Sequence, residues 1–323
     1  MEAFGAPMVR SEGGENDFFR EIYLEVVQLK NKKYDLPFKG KASKRFISIL
    51  TDEIEKGTRG VQKSEVELLF PALILQRDIM VKKGIDIKRL IDKRMDMWEK
   101  GLFRELLEEA KRCDSQFVER KVKMDNEHAF RVFNRLMLQG KVREATRFMT
   151  NRVEGGCVLN PNQQAEDKTG LLNKSVFEVF KEKHPEPQDN DENAFMSVDE
   201  LPTLVDVDVT AAHVEKIAAR LSGSGGPTGI DSSQWKSWLL RYGDCSLQLR
   251  EAIAASIRKH ANEIVEWDNI RGLLGRRGIA LDKCPGVRPI GVGEMSQRIE
   301  AKVMALVTGI DIQQECGTEN LCA

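Results

Sequence analysis

The chain has 323 residues, of which 41% are hydrophobic and 31% are charged, and its formal net charge is −1. This length favours two or three domains, and the near-neutral charge excludes a basic nucleic-acid surface that covers the whole molecule. Any such surface has to be local, and the high charged fraction favours solvated helices over sheets that are buried on both faces.

Cysteine and histidine usage excludes two classes of site. The six cysteines occur singly, with no C-x-x-C pair, and the four histidines lie far from them in the sequence. Neither a zinc site nor a disulfide framework is expected from such spacing. Residues 1–16 lack the apolar core of a secretory signal, and no apolar run approaches the ~20 residues that cross a bilayer. We therefore expect an intracellular protein, nuclear or cytoplasmic, with reduced thiols and no membrane partner.

Apolar residues recur at helical spacing through the first half of the chain. This half contains no alternating run of Val, Ile and Thr, which would indicate a strand. Asp86 is the expected N-cap of the longest helix. We predict a disordered lead-in at residues 1–16 and a helical domain at residues 17–153. Its helices are expected at about 17–29, 42–56, 64–83, 86–112, 125–138 and 142–151.

A second region, residues 154–209, separates this helical domain from the rest of the chain. Its Gly and Asn-Pro-Asn sequences predict a loop up to residue 170, and a short helix is expected at residues 175–183. Residues 186–208 then hold eight acidic residues and no Lys or Arg, which is typical of a solvated acidic linker. We expect the main domain boundary in this acidic stretch.

Residues 210–323 form the third predicted region, which is helical and contains one short β-hairpin. Asp231 is the expected N-cap of its second helix. Helical spacing places three tryptophans in the core, Trp235, Trp238 and Trp267. The helices are expected at about 210–221, 246–261 and 267–274, with a further helix that Asp231 caps and that holds Trp235, Trp238, Leu239 and Leu240. The fold class predicted for the whole chain is therefore mainly α.

The hairpin is predicted from residues 278–291. Leu281-Asp282-Lys283 ends an apolar run, and Cys284-Pro285-Gly286 supplies a turn. Val287-Arg288-Pro289-Ile290-Gly291 then starts a second extended run, in which the proline suits an edge strand. A helix is expected to begin near Glu294, with Arg298 and Lys302 four residues apart on one face.

The hairpin and its flanks are rich in cations. Residues 271–302 contain seven basic residues and three acidic ones. An arginine can bind a phosphate with two hydrogen bonds and a lysine supplies a point charge, although each cation can also be an ordinary solvated surface charge. The same two alternatives apply to the basic clusters around Lys33 and Lys82. No catalytic residue or metal ligand is expected. The candidate residues for binding nucleotide or nucleic acid are Lys283, Arg288, Arg276, Arg277, Arg298 and Lys302.

Two stretches together resemble the start of a retrotransposon-type reverse transcriptase, an RNA-directed DNA polymerase. The first is Gly225-Gly226-Pro227-Thr228-Gly229-Ile230-Asp231 with the following Trp235-Lys236-Ser237-Trp238-Leu239. It is similar to the Gly-x-Asp motif that precedes the fingers of these polymerases. The second is the hairpin with its Arg-Pro-Ile run and the following helix, which resembles the fingers hairpin. The resemblance covers about residues 222–302, a quarter of the chain.

This resemblance implies a partial fingers region over residues 210–323, in which Lys283 and Arg288 contact a nucleoside triphosphate or the template. In the family, palm carboxylates that include an Asp-Asp turn hold Mg²⁺, and the present chain contains no Asp-Asp pair. The resemblance therefore implies truncation before the palm, no polymerase activity and no cofactor in this chain. RNA, DNA or nucleotide binding would remain, together with self-association through an exposed fingers surface.

Two other classes of protein stay open. A helical protein-interaction module without a nucleic-acid role would use the same amphipathic helices and the same charged surfaces. A stand-alone enzyme is the weaker alternative, because no catalytic group of residues is visible in the sequence.

Overall fold

Helices account for most of the secondary structure in a computed structural model of the chain. The structure describes residues 15–30, 32–38, 40–116, 126–140, 158–184, 206–283 and 285–316, and residues 142, 145, 146, 148 and 149. These residues form 13 helices and two small antiparallel strand pairs, which confirms the predicted mainly α class. The predicted lead-in and most of the predicted acidic linker lie outside the described residues.

Six helices precede the first strands and seven follow them within the described part of the chain. The first six are α1 (Glu15–Val26), α2 (Lys41–Thr58), α3 (Ser64–Ile74), α4 (Gly84–Glu99), α5 (Phe103–Ser115) and α6 (Asn126–Leu138). The others are α7 (Val176–Glu182), α8 (Ala211–Ala219), α9 (Ser232–Leu240), α10 (Asp244–Asn262), α11 (Trp267–Ile270), α12 (Met295–Val307) and α13 (Gly309–Cys316). The strand pairs are β1 (Gln164–Asp167) with β2 (Gly170–Ser175), and β3 (Arg276–Asp282) with β4 (Val287–Gly293).

The described residues divide into two compact units, and each is discontinuous in sequence. The larger unit takes its described residues from 15–116, 206–276 and 292–316. The smaller unit takes its described residues from 126–184 and 277–291. The domain boundaries predicted from composition stay predictions.

The core of the larger unit joins helices from before and after the acidic stretch. Helix α2 packs against α10, and the ring of Phe46 in α2 lies 5.2 Å from the ring of Trp238 in α9. The same Phe46 ring lies 4.9 Å from that of Phe70 in α3. Both Phe46 and Trp238 are fully buried. Stripes of large apolar residues on these helices therefore meet in one core, where removal of apolar surface from water provides the stabilisation.

A buried arginine connects three elements of this unit. Only 1% of Arg94 in α4 is exposed, and its Nη1 donates to the carbonyl oxygens of Ile74 and Gln76. Its Nε donates to Oε1 of Glu109 in α5 at 2.8 Å. The last carbonyls of a helix have no partner within the helix. Arg94 satisfies one of these carbonyls at the end of α3, and Glu109 balances its charge.

Two helices predicted in the first domain are shorter than expected. The helix predicted at 64–83 ends at Ile74, because the chain then becomes extended and Gln76 pairs with Lys33 in an antiparallel bridge. The helix predicted at 86–112 is two helices, α4 and α5, which separate at Gly101 with φ of 73°. Asp86 is not the N-cap, since α4 begins two residues earlier after Lys83.

Two further predictions are wrong in the middle of the chain and near the hairpin. The region predicted as a loop, 154–170, contains β1, which pairs with β2 around the positive-φ residue Gly170. Trp267, predicted in the core, is 63% exposed, whereas Trp235 and Trp238 are buried as predicted. Helix α11 has only four residues, which gives it little apolar surface to bury. The second arm of the helical hairpin predicted at 142–151 lies largely outside the described residues.

The smaller unit has a core of its own between its strands and α7. Its buried residues are Ala165, Val176, Val179, Phe180, Ala280 and Val287. Ser175 caps α7 by accepting a hydrogen bond from the backbone N–H of Glu178, whose carboxylate accepts one from the N–H of Ser175. This capping box matches the sequence pattern Ser-x-x-Glu at the start of the helix.

We expect the Arg94→Ala variant to lower the free energy of unfolding by about 3–5 kcal/mol, because it removes the buried ion pair with Glu109 and leaves a helix-end carbonyl without its hydrogen bond. Denaturant unfolding followed by circular dichroism measures this loss. The control is Arg89→Ala, since Arg89 lies on the surface of the same helix, 3.6 Å from Asp86, and exposed pairs contribute about 0–1 kcal/mol. Equal losses in the two variants would contradict the structural role of Arg94.

Candidate nucleic-acid interface

The predicted hairpin is present and is longer than the sequence indicated. Strands β3 and β4 are joined by a turn that the N–H of Lys283 closes by donating to the carbonyl oxygen of Gly286 at 2.8 Å. Gly286 has φ of +119°, a region that side-chain-bearing residues rarely adopt. The turn therefore needs glycine at this position. We call residues 276–293 the basic hairpin, since they contain four basic residues and one acidic residue.

One face of the basic hairpin packs onto α7. Ala280 and Val287 are buried, and a Cβ placed on Gly278 would lie 2.8 Å from the ring of Phe180. Successive side chains of a strand point to opposite faces. Arg277 directly precedes Gly278, and Arg288 directly follows Val287. Both arginines therefore lie on the outer face of the hairpin.

The cations at the tip of the hairpin are exposed. Lys283 and Arg288 are both exposed, and neither has an ion pair or a side-chain hydrogen bond to another described residue. Arg277 is half-buried, and its Nε has no hydrogen-bond partner among the described residues. Three of the six predicted binding residues, Arg277, Lys283 and Arg288, thus lie on the outer face of the basic hairpin, with Lys283 and Arg288 near its tip and Arg277 near its open end. Such a surface can accept phosphate oxygens through charge-assisted hydrogen bonds.

The other three predicted residues belong to the larger unit. Arg276 is exposed at the first position of β3, and Lys302 is exposed on α12. Arg298 in α12 donates from Nη1 to the carbonyl oxygen of Ser224 at 2.8 Å and from Nη2 to that of Ser222 at 3.0 Å. Its guanidinium is therefore engaged with the backbone of the glycine-rich turn. The assignment of all six residues to binding stays a prediction.

The glycine-rich turn, residues 222–229, is held by a buried carboxylate that the sequence pattern did not single out for this role. Glu294, 1% exposed at the N-cap position of α12, accepts hydrogen bonds from the N–H and the Oγ1 of Thr228 at 2.8 and 2.9 Å. A Cβ on Gly226 would lie 2.6 Å from the carbonyl oxygen of Gly293. Glycine is required at position 226 because the two backbones approach so closely.

Asp231 acts as the expected N-cap, in a capping box with Gln234. Its Oδ1 accepts hydrogen bonds from the N–H groups of Ser233 and Gln234, and the N–H of Asp231 donates to Oε1 of Gln234. The Nε2 of Gln234 also donates to the carbonyl oxygen of Tyr34 at 3.1 Å. The Gly-x-Asp motif thus serves the packing of the larger unit, since its aspartate is committed to helix capping.

The described residues contain neither a candidate metal site nor a candidate membrane-spanning helix. No group of three or more His, Cys, Asp or Glu side chains among them is arranged to hold a metal ion. None of the described helices combines the length and the apolar character needed to cross a membrane. The expectation that this chain carries no cofactor stays a prediction.

Comparisons with protein-family models, with curated proteins and with solved structures gave no match to this chain. The reverse-transcriptase resemblance therefore stays a prediction from the two motifs.

The backbone at Gly226 lies against that of Gly293, which leaves no room for a side chain. We expect Gly226→Ala to destabilise the larger unit by about 1–3 kcal/mol, because a methyl group there forces apart two backbone segments. Thermal unfolding of the full chain measures the effect. Gly84→Ala is the matched control, since a Cβ at Gly84 in the first turn of α4 meets no atom within 4 Å. A neutral Gly226→Ala variant would show that the turn does not need this contact.

Proposed function

We propose that this chain is the N-terminal and fingers portion of a reverse-transcriptase-like protein, and that its basic hairpin binds nucleic-acid phosphate or a nucleoside triphosphate without catalysing polymerisation. The observation that carries the proposal is the exposed pair Lys283 and Arg288, which has no acidic partner among the described residues. The order of the motifs supports the assignment, because the glycine-rich turn, the hairpin and α12 follow one another as in the family that the sequence resembles.

The hairpin geometry supports phosphate binding in particular. The buried face on α7 holds the strands in place, and the Nζ of Lys183 donates to the carbonyl oxygen of Val287, next to Arg288. A guanidinium presented by a packed strand loses less conformational freedom on binding than one on a free loop. Arg288 can provide the two-pronged contact to phosphate and Lys283 the neighbouring point charge.

We do not expect this chain to catalyse polymerisation. Phosphoryl transfer by this class of enzyme needs carboxylates that hold two metal ions. The chain contains no Asp-Asp pair, and the hairpin itself contributes a single carboxylate, Asp282. We infer that this chain binds nucleic acid or nucleotide but does not extend a primer.

We expect the double variant Lys283→Ala with Arg288→Ala to weaken binding of a single-stranded RNA at least about tenfold, because each side chain contributes a charge-assisted contact. The slope of log affinity against log salt should also fall, by roughly 0.7 for each lost phosphate contact. Fluorescence anisotropy of a labelled RNA across a salt series measures both quantities.

The matched control for this experiment is Lys168→Ala with Lys181→Ala, which removes the same charge from exposed positions of the same unit. This variant should keep the wild-type affinity and salt slope. Equal binding by all three proteins would sink the assignment of the hairpin. Metal-dependent primer extension by the purified chain would instead refute the proposed lack of polymerase activity.

A specific observation also favours association with protein, either a second copy of the chain or another partner. Ile264 is fully exposed and Trp267 is 63% exposed on one short stretch of the larger unit, and exposed apolar residues that lie together often mark an interface. We expect the elution position in a concentration series of size-exclusion runs to shift toward larger species, and Trp267→Lys to reduce that shift. A constant monomer peak at all concentrations would argue against self-association.

A further inference from the structure

A second cationic site lies in the larger unit, apart from the hairpin residues. It is a pocket of about 390 Å³ between the segment after α1 and the segment after α3. Lys33, Arg77 and Lys82 contribute cations to its lining, and Asp35 contributes one carboxylate. Apolar side chains such as Ile79 and Ile87 complete the wall. The lining thus has an excess of positive charge.

The backbone around the pocket is fixed by hydrogen bonds between distant segments. Lys33 and Gln76 form an antiparallel bridge, and the N–H of Tyr34 donates to the carbonyl oxygen of Leu75 at 2.6 Å. The hydroxyl of Tyr34 donates to the carbonyl oxygen of Asp78 at 2.6 Å. These contacts bring together two basic clusters that lie far apart in the sequence. The pocket is therefore a preformed feature of the fold, as binding sites for small ligands usually are.

Lys33 is the unusual member of this group. Its Nζ donates to Oε1 of Gln76, a neutral acceptor, and it has no ion pair with a described carboxylate. Gln76 is fully buried, and its Nε2 has no hydrogen-bond partner among the described residues. Burial lowers the pKa of Lys33 to about 8, although the carboxylates of Asp114 and Glu294 act in the opposite direction. A desolvated ammonium with a neutral partner gains stability from a nearby anion.

The other two cations suit a ligand that arrives from solvent. Arg77 and Lys82 are both exposed, and Lys82 can change rotamer to contact a bound group. Three cations, one half-buried and two exposed, can contact the several acceptor oxygens of a tetrahedral anion from different directions. Asp35 is exposed and supplies the only acidic side chain in the lining of this pocket.

We propose that this pocket binds a phosphate group, carried either by a free anion such as a nucleotide or by the backbone of a nucleic-acid strand. Lys33 provides the fixed charge, and Arg77 and Lys82 provide the contacts at the rim. The site is separate from the basic hairpin in sequence and in residues, so it does not depend on the reverse-transcriptase assignment.

Isothermal titration calorimetry tests the proposal on the full chain carrying Lys283→Ala and Arg288→Ala, since these substitutions remove the RNA and nucleotide binding proposed for the hairpin. The three ligands are inorganic phosphate, ATP and a short single-stranded RNA. We use Lys82→Met as the primary variant, because an exposed residue without a described ion pair can be replaced without loss of the fold. We expect it to weaken binding about tenfold, the effect of losing one charge-assisted contact. Lys33→Met should remove measurable binding, and its folding is checked by circular dichroism.

The control variant is Lys100→Met, which removes one exposed charge from the far end of α4, roughly 20 Å along the helix from Ile87 at 1.5 Å per residue. It should bind like the parent protein that carries the hairpin substitutions alone. That parent should bind inorganic phosphate as the wild-type chain does, which separates the failure of one proposal from the failure of the other.

The three ligands distinguish the sources of the phosphate group. Binding of phosphate or ATP without RNA would assign the pocket to small anions, and binding of RNA as well would assign it to a nucleic-acid backbone. Affinity should fall as the pH rises through about 8, because Lys33 loses its proton there in the free protein. The proposal is overturned if no ligand binds, or if Lys82→Met and Lys100→Met have the same affinity.

Discussion

The buried carboxylate of Glu294 is the constraint that joins the glycine-rich turn of the larger unit to the start of α12. It holds the glycine-rich turn through two hydrogen bonds from Thr228, and it stands at the point where β4 ends and α12 begins. Burial raises the pKa of Tyr23 and lowers the pKa of Lys33, and the negative charge of Glu294 adds to the first shift and opposes the second. A turn and a helix start therefore depend on a single side chain. In a low-dielectric interior such a charge acts more strongly than it would in water.

The two candidate phosphate sites differ in how far their cations are exposed to solvent. The hairpin presents Lys283 and Arg288 to solvent from packed strands, so their affinity for a phosphate depends on charge and is sensitive to salt. In the pocket Lys33 is half-buried, and this burial lowers its pKa because its charge is costly in the absence of an anion. An exposed site of the first kind favours fast, weakly selective encounters. A partly buried site of the second kind discriminates by shape as well as by charge.

Local patterns in the sequence predicted the elements that local chemistry determines. Asp231 was identifiable as a cap, and the Pro-Gly turn flanked by extended runs was identifiable as a hairpin. The break at Gly101 was missed because apolar spacing continues on both sides of a single glycine. Such local patterns do not predict contacts between residues that are far apart in the sequence. Neither the burial of Arg94 against the end of α3 nor the meeting of Lys33 with Gln76 has a periodic signature. Similarly, Glu294 could be placed near a helix start but not opposite Thr228.

The discontinuous construction of the larger unit has a consequence for the order of folding during synthesis. Helices α2 and α3 emerge early, but part of the surface that covers them belongs to α9 and α10, and Lys259 reaches the carbonyl oxygen of Thr58 across 201 residues of sequence. Contacts of such long range slow folding. The apolar faces of the first helices therefore remain exposed until the chain is largely synthesised. Nascent proteins with exposed apolar surface depend on chaperones during this period.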